Sequence, residues 1–174
     1  MRPSPGEVLH FSEDPTITRF VPQEQYVWAV GFDRAQDYWF PRQCPRAMAW
    51  VTEGTTDRSL LSPGADRVHV IEYGWLEAMQ QIELYAYRLP AEPFEPIGEA
   101  MHAMVATEPV EPLEAPQPVG SLLRLHEEAG IELRLVQNIW PWWHRVIESD
   151  LGFSGIRLRN AKPAPHTETP VSVS

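Results

Sequence analysis

The stretch Glu7-Val8-Leu9-His10-Phe11-Ser12-Glu13-Asp14-Pro15 opens as a strand and closes as a hard stop. Over Glu7–Phe11 the side chains alternate, Val8 and His10 on one face, Leu9 and Phe11 on the other. Ser12 or Asp14 can cap a short turn, with Pro15 tolerated at its first position. Ile17 and Phe20 then point back to the core. Tyr26–Val30 is a second strand. Asp33-Arg34-Ala35-Gln36 has the pattern of a capping box, which opens a helix that Pro41 ends. Ala35, Tyr38 and Trp39 share its inner face. Ala47–Val51 is a third strand.

The same alternation continues outward. Val68–Tyr73 is an apolar strand followed by a short helix through Trp75, Leu76 and Met79. Ile82–Leu89 is a strand stopped by Pro90, and His102–Thr107 is its expected neighbour. Gly120–Ala129 is a helix that Gly130 ends, Glu132–Val136 a strand. Pro141 starts a last helix whose predicted stripe is Trp143, Val146 and Ile147. Ser154–Leu158 is a final extended segment. Many short strands interrupted by short helices predict an α+β fold rather than a doubly wound sheet. The expected organisation is one α+β domain over 1–163 and a disordered tail over 164–174, where periodicity stops and Pro165 and Pro170 fall.

Composition bounds what such a domain can be. The chain has 174 residues, 43% of them hydrophobic, with seven Trp, five Tyr and six Phe, enough for a sizeable core. Eighteen prolines argue against long helices. No apolar run approaches the ~20 residues of a membrane span. The start of the chain, MRPSPGEVLHF, has no secretory apolar region, and the single cysteine excludes an internal disulfide and a multi-cysteine zinc site. A soluble cytoplasmic protein is expected. The balance of 24 acidic against 14 basic residues, net −10, argues against general nucleic-acid binding. From Pro90 to Pro118 there are six Glu (92, 95, 99, 108, 111, 114) and no Lys or Arg. That run is either a solvated surface hairpin or a loop that turns a carboxylate towards a ligand.

The sequence holds no G-x-S-x-G, P-loop, G-x-G-x-x-G or H-E-x-x-H pattern. His69 and Glu72 would face opposite sides of a strand and make a poor metal pair. His144 and Glu148 are spaced as an exposed helical pair. Cys44 lies between Arg42 and Arg46, which could lower its pKa; a buried structural thiol is the alternative. The cluster Trp140, Trp142, Trp143 is either core packing or a flat wall for a base. His10, at the end of the first strand, is either a satisfied core histidine or a ligand group.

Three segments in order carry a resemblance: Leu9-His10-Phe11-Ser12, then Val27-Trp28-Ala29-Val30, then Ala35-Gln36-Asp37-Tyr38. They resemble the start of ADP-ribosyltransferase-like domains. There a strand ending L-H-x-T or L-H-x-S is followed by a V-Y-x-T strand and a helix with an A-x-x-Y step. Leu84–Leu89, Pro93-Phe94-Glu95-Pro96 and Ala106–Val110 are similar to the strand, acidic loop and returning strand of the rifamycin type. The likeness spans residues 8–114. A nearer one, from His10 to Pro45, is to a small family of uncharacterised bacterial proteins beginning H-F-S-E-D-P, and it implies no activity.

The remoter resemblance implies two small mixed or antiparallel sheets flanked by short helices, with NAD or another nucleotide in a cleft lined by His10 and Trp28. His10 matches the histidine that hydrogen-bonds a ribose hydroxyl. Ser12 and Tyr38 fall within the matching motifs. Trp28 stands where a tyrosine stacks on nicotinamide; an indole can stack as well. Glu95 or Glu99 falls near the carboxylate that stabilises a developing ribosyl cation. Such chemistry needs a stacked leaving group, a fixed ribose and a nearby negative charge, and no metal. Arg19, Arg42 and Arg46 are candidates for the pyrophosphate. The implied partner is a small-molecule nucleotide or an acceptor the sequence does not identify. A non-catalytic nucleotide- or protein-binding module of the same fold is the alternative.

Overall fold

The structure is a computed structural model that describes residues 1–98 and 102–165. Beyond Pro165, the expected tail lies outside the described residues, as does Glu99. In chain order the strands are β1 (Glu7–Ser12), β2 (Val27–Ala29), β3 (Arg46–Trp50), β4 (Arg67–Glu72), β5 (Tyr85–Pro90), β6 (Glu95–Ile97), β7 (Ala103–Ala106), β8 (Gln117–Pro118), β9 (Glu132–Val136) and β10 (Gly152–Ile156). The helices are α1 (Leu76–Gln81), α2 (Leu122–Glu128) and α3 (Trp140–Ile147), with short 3-10 segments at Phe32–Tyr38, Tyr73–Trp75 and Leu158–Asn160. Mixed α and β content, antiparallel sheets and few helices agree with the α+β expectation. The strands form three sheets where two were expected.

The residues gather into two compact units. The first holds Met1–Arg42 and Glu77–Ala129; the second holds Gln43–Leu76 and the chain from Gly130 onward. In the first, two three-stranded sheets have the orders β1-β5-β8 and β2-β7-β6. The strand at 103–106 is therefore not the neighbour of β5. It pairs with β2 and β6 instead, because the 90–102 segment folds back as β6 before the chain returns. One bridge ties the sheets: Leu9 and Val30 exchange both main-chain hydrogen bonds, at 2.9 and 2.8 Å.

Alternation along β1 divides its surroundings. Val8 joins a core with Phe20, Val27, Ala29, Tyr87, Leu89 and Phe94. Leu9 joins another with Val30 and Ala35, against which Phe11 and Tyr38 pack. The stop after β1 is built as its sequence suggests. Ser12 Oγ accepts from Asp14 N at 3.1 Å, and Asp14 Oδ1 accepts from Thr16 N at 2.8 Å. The Tyr87 hydroxyl, fully buried, donates to Asp14 O (2.7 Å) and accepts from Ile17 N (3.1 Å). That double tie seats Phe20 edge-on against the Tyr87 ring. The helix expected from Asp33 is a 3-10 segment instead. Its N-cap is Gly31, no side chain caps it, and Gln36 donates to Asp33 O rather than back to a cap amide.

The second unit is one sheet of order β10-β3-β4-β9, antiparallel except for the parallel pair β4–β9, with α3 contributing to its core. Ala47, Ala49, Val68 and Val70 meet Ile139, Trp142 and Val146 there. The buried face of α3 thus runs 139–142–146. The Trp143–Val146–Ile147 stripe is turned away by one residue, leaving Trp143 half-buried and Ile147 exposed. The buried Glu72 carboxylate explains the choice. It accepts from Ile139 N (3.2 Å) at the start of α3 and from Lys162 N (3.1 Å), so the helix begins where its free amides meet a negative charge.

Candidate functional site

β1 and β2 part company just beyond the Leu9–Val30 bridge. An antiparallel ladder would next pair Phe11 with Trp28. Instead the His10 side chain takes the ladder's place, its Nδ1 lying 2.7 Å from the main-chain oxygen of Trp28. A carbonyl only accepts, so Nδ1 carries the proton. The His10 ring packs on Phe20 with centroids 4.6 Å apart. Burial pushes its pKa below the ordinary value. The bond to Trp28 opposes that shift, and the nearby Arg42 charge adds to it. His10 is therefore neutral at pH 7, with a bare acceptor at Nε2.

The indole of Trp28 lies on the other side of β2. Val27 and Ala29 belong to the core that Val8 shares, so Trp28 faces away from it. Trp28 pairs with Val105 on β7, and Val105 pairs with Glu95 on β6. Residues directly opposite one another share a sheet face, so Trp28, Val105 and Glu95 stand in one row. The flanking positions are two strand spacings, about 10 Å, apart. Trp28 is 45% exposed and Glu95 is exposed, while Val105 between them is 8% exposed. Tyr26, two residues before Trp28, sets its ring edge-on to the indole at 5.8 Å. It leaves a two-residue turn, bridged Gln23 to Tyr26, in which Glu24 holds φ 59°, a left-handed conformation that favours glycine.

The structure thus brings two of the site residues read from the sequence, Trp28 and Glu95, onto one face. His10 reaches Trp28 only through its backbone. Ser12 is buried and spends its hydroxyl on the turn at Asp14. Tyr38 packs in the Leu9 core, on the opposite face of β1 from His10. Arg19 is exposed, and Arg42 is exposed with its amide bound to Glu13 at 2.8 Å. Arg46 belongs to the second unit, where it is buried and donates to Cys44 O at 3.0 Å. Sequence reading did not single out Tyr26, Val105 or Phe20. Tyr26 was within reach, since its i, i+2 spacing puts it on the Trp28 face; Val105 needed the pairing of β7.

Cys44 is the buried structural thiol: burial pushes its pKa up to about 12 despite the opposing Arg46 charge. Among the described residues no group of three or more His, Cys, Asp or Glu is placed to hold a metal, and no helix is long and apolar enough to cross a membrane.

Comparison with curated proteins and with solved structures gives no match. The ADP-ribosyltransferase likeness therefore gains no support from known proteins, whereas the nearer likeness to an uncharacterised family does. The family of unknown function DUF6886 matches residues 9–161, most of the chain and both units, and the protein belongs to it.

Proposed function

We propose that the first unit is a nucleotide-binding module, and that the row Trp28–Val105–Glu95 receives a planar, positively charged ring, NAD being the nucleotide that fits it best. The observation that carries this reading is the pairing register, which sets an exposed indole and an exposed carboxylate on one sheet face about 10 Å apart. Oxidised nicotinamide is a flat cation. An indole face attracts such a ring through its quadrupole, and a carboxylate beside it offsets the charge. Tyr26 fixes the indole from the side, and His10 fixes the β2 backbone from behind.

The fit extends to the ring and not to the ribose. His10 points into the core on the far side of β2, so it does not share a cleft with the Trp28 indole. That separation favours binding over transfer, since ribosyl transfer needs the sugar held against the carboxylate. The test is a thermal-shift and calorimetric comparison of NAD, NADH and ATP on the intact chain and on Trp28→Ala. Stabilisation by NAD that Trp28→Ala removes supports the reading; a ligand at 100 times its Kd stabilises by about 2.7 kcal/mol. No response to any nucleotide overturns it. Release of nicotinamide from NAD would make the module a transferase.

A further inference from the structure

The four-stranded sheet of the second unit has two edges, and they are unlike. β9, at one edge, carries Glu132 and Arg134, paired to each other at 2.6 Å, and Glu132 also accepts from Ser62 N at 3.0 Å. Charged side chains are a common way to keep a sheet edge from pairing. β10, at the other edge, reads Gly152-Phe153-Ser154-Gly155-Ile156, with no charge and no proline. Its inner side pairs with β3. Among the described residues no strand pairs with its outer side. Next to that open edge lie three apolar side chains. Phe153 is 42% exposed and sits edge-on to Trp143 at 5.8 Å. Trp143 is half-buried, and Ile147, one turn along α3, is exposed.

We propose that β10 pairs antiparallel with β10 of a second copy of this chain, on a dyad through Ser154, joining two four-stranded sheets into one. The strand is self-complementary about that point. Ser154 then faces Ser154, Gly152 faces Ile156, and each Phe153 faces the Gly155 of the other copy. Gly155 is the place where an aromatic ring from across the ladder fits. A side chain at 155 would itself collide with Trp143 and Leu158, its Cβ falling 2.8 and 2.6 Å from them. The facing aromatic instead lies over the bare glycine and extends the Trp143–Phe153 contact across the dyad, as aromatic residues do beside edge glycines. The occupant is a second copy because this pattern matches itself and because the other edge is closed by charge. Five paired residues and three apolar side chains form a small interface beside the ~1,200–2,000 Å² of standard complexes, so the dimer is reversible and forms in the micromolar range.

The test is sedimentation of the full chain across the micromolar range, with Phe153→Lys and Ser154→Cys. The parent should pass from monomer to dimer with concentration. Phe153→Lys, a change at an exposed position, should remain monomeric with an unchanged thermal melt. Ser154→Cys should cross-link to a dimer under mild oxidation, since facing Cα atoms ~4.5–5.5 Å apart suit a disulfide; the parent, whose one cysteine is buried, should not. A parent that stays monomeric throughout overturns the proposal. So does a dimer that Ser154→Cys fails to cross-link, which assigns the association to another surface. Should Phe153→Lys misfold, the cysteine variant alone decides.

Discussion

The His10 imidazole stands where a strand backbone would otherwise stand: its Nδ1–H meets the Trp28 carbonyl at 2.7 Å at the point where β1 and β2 separate. A side chain thus completes a ladder that the two strands do not continue, and it anchors the strand that carries Trp28. His10→Ala removes that bond, strands an inward-facing carbonyl and opens space beside Phe20. The expected loss is about 1–3 kcal/mol in urea unfolding. Because His10 touches no part of the outer sheet face, the nucleotide affinity of any molecules that stay folded should fall only as far as β2 shifts.

His10 and His126 are both held neutral by burial, against hydrogen bonds to the Trp28 and Leu122 carbonyls that favour the charged form. Their folded pKa values lie below the unfolded ~6.5. Above that pH neither state binds the protons and the stability is whole. As pH falls below it, the unfolded chain takes up protons that the folded chain refuses, so stability declines, by at most about 2.7 kcal/mol per pH unit for two such groups. The urea midpoint should therefore drop between roughly pH 6.5 and 5. The carboxylates of Asp14 and Asp150, lowered by hydrogen bonds from Thr16 and Thr56, add their own loss only at more acid pH. A midpoint flat from pH 7 to 5 contradicts the two buried histidines.

Tyr87 ties the turn after β1 to β5 through one hydroxyl that both donates and accepts. Tyr87→Phe keeps the ring and its contact with Phe20. It leaves Asp14 O and Ile17 N without their partner, at an expected cost of about 1–3 kcal/mol. Denaturant melts should show the loss. Proteolysis should show the 13–20 segment opening first.

The last helix separates two tryptophans by function. Trp142 is 6% exposed in the core of the second unit, whereas Trp143 is half-buried on the β10 side. Trp142→Ala should cost about 3–5 kcal/mol and Trp143→Ala clearly less. Equal losses would mean that both rings are core.

These cases show what a single sequence makes legible. β1, its stop and the order of short strands came from local signals: alternation, Ser-Glu-Asp-Pro, and proline at element ends. The stripe of α3 did not, because Trp140-Pro141-Trp142-Trp143 offers apolar residues on two faces, and the choice was made from outside by Glu72 binding Ile139 N. The Asp33 capping pattern was present, yet the segment settled as 3-10 with Gly31 at its start. The conjunction of Trp28 and Glu95 was least legible. Nothing local to either residue says that both pair with Val105; only the route of β7 between β2 and β6 does.

That conjunction gives the sharpest outcome to look for. If the row receives the oxidised nicotinamide ring, its two ends act differently. Trp28 supplies stacking, worth about 1–3 kcal/mol per base, so Trp28→Ala should weaken NAD and NADH alike, by roughly 5- to 150-fold. Glu95 supplies charge on an exposed face, where water and salt screen it. Glu95→Gln should then weaken NAD only a few-fold. It should leave NADH, whose nicotinamide ring is neutral, unchanged. The parent should accordingly prefer NAD over NADH, and added salt should erase that preference. Calorimetry of both nucleotides on the parent and the two variants, at low and at high salt, checks all of this at once. A Glu95→Gln protein that keeps the parent's preference removes the carboxylate from the site and leaves Trp28 as a stacking surface without charge selectivity. A Trp28→Ala protein with undiminished NAD affinity moves the site off this face altogether.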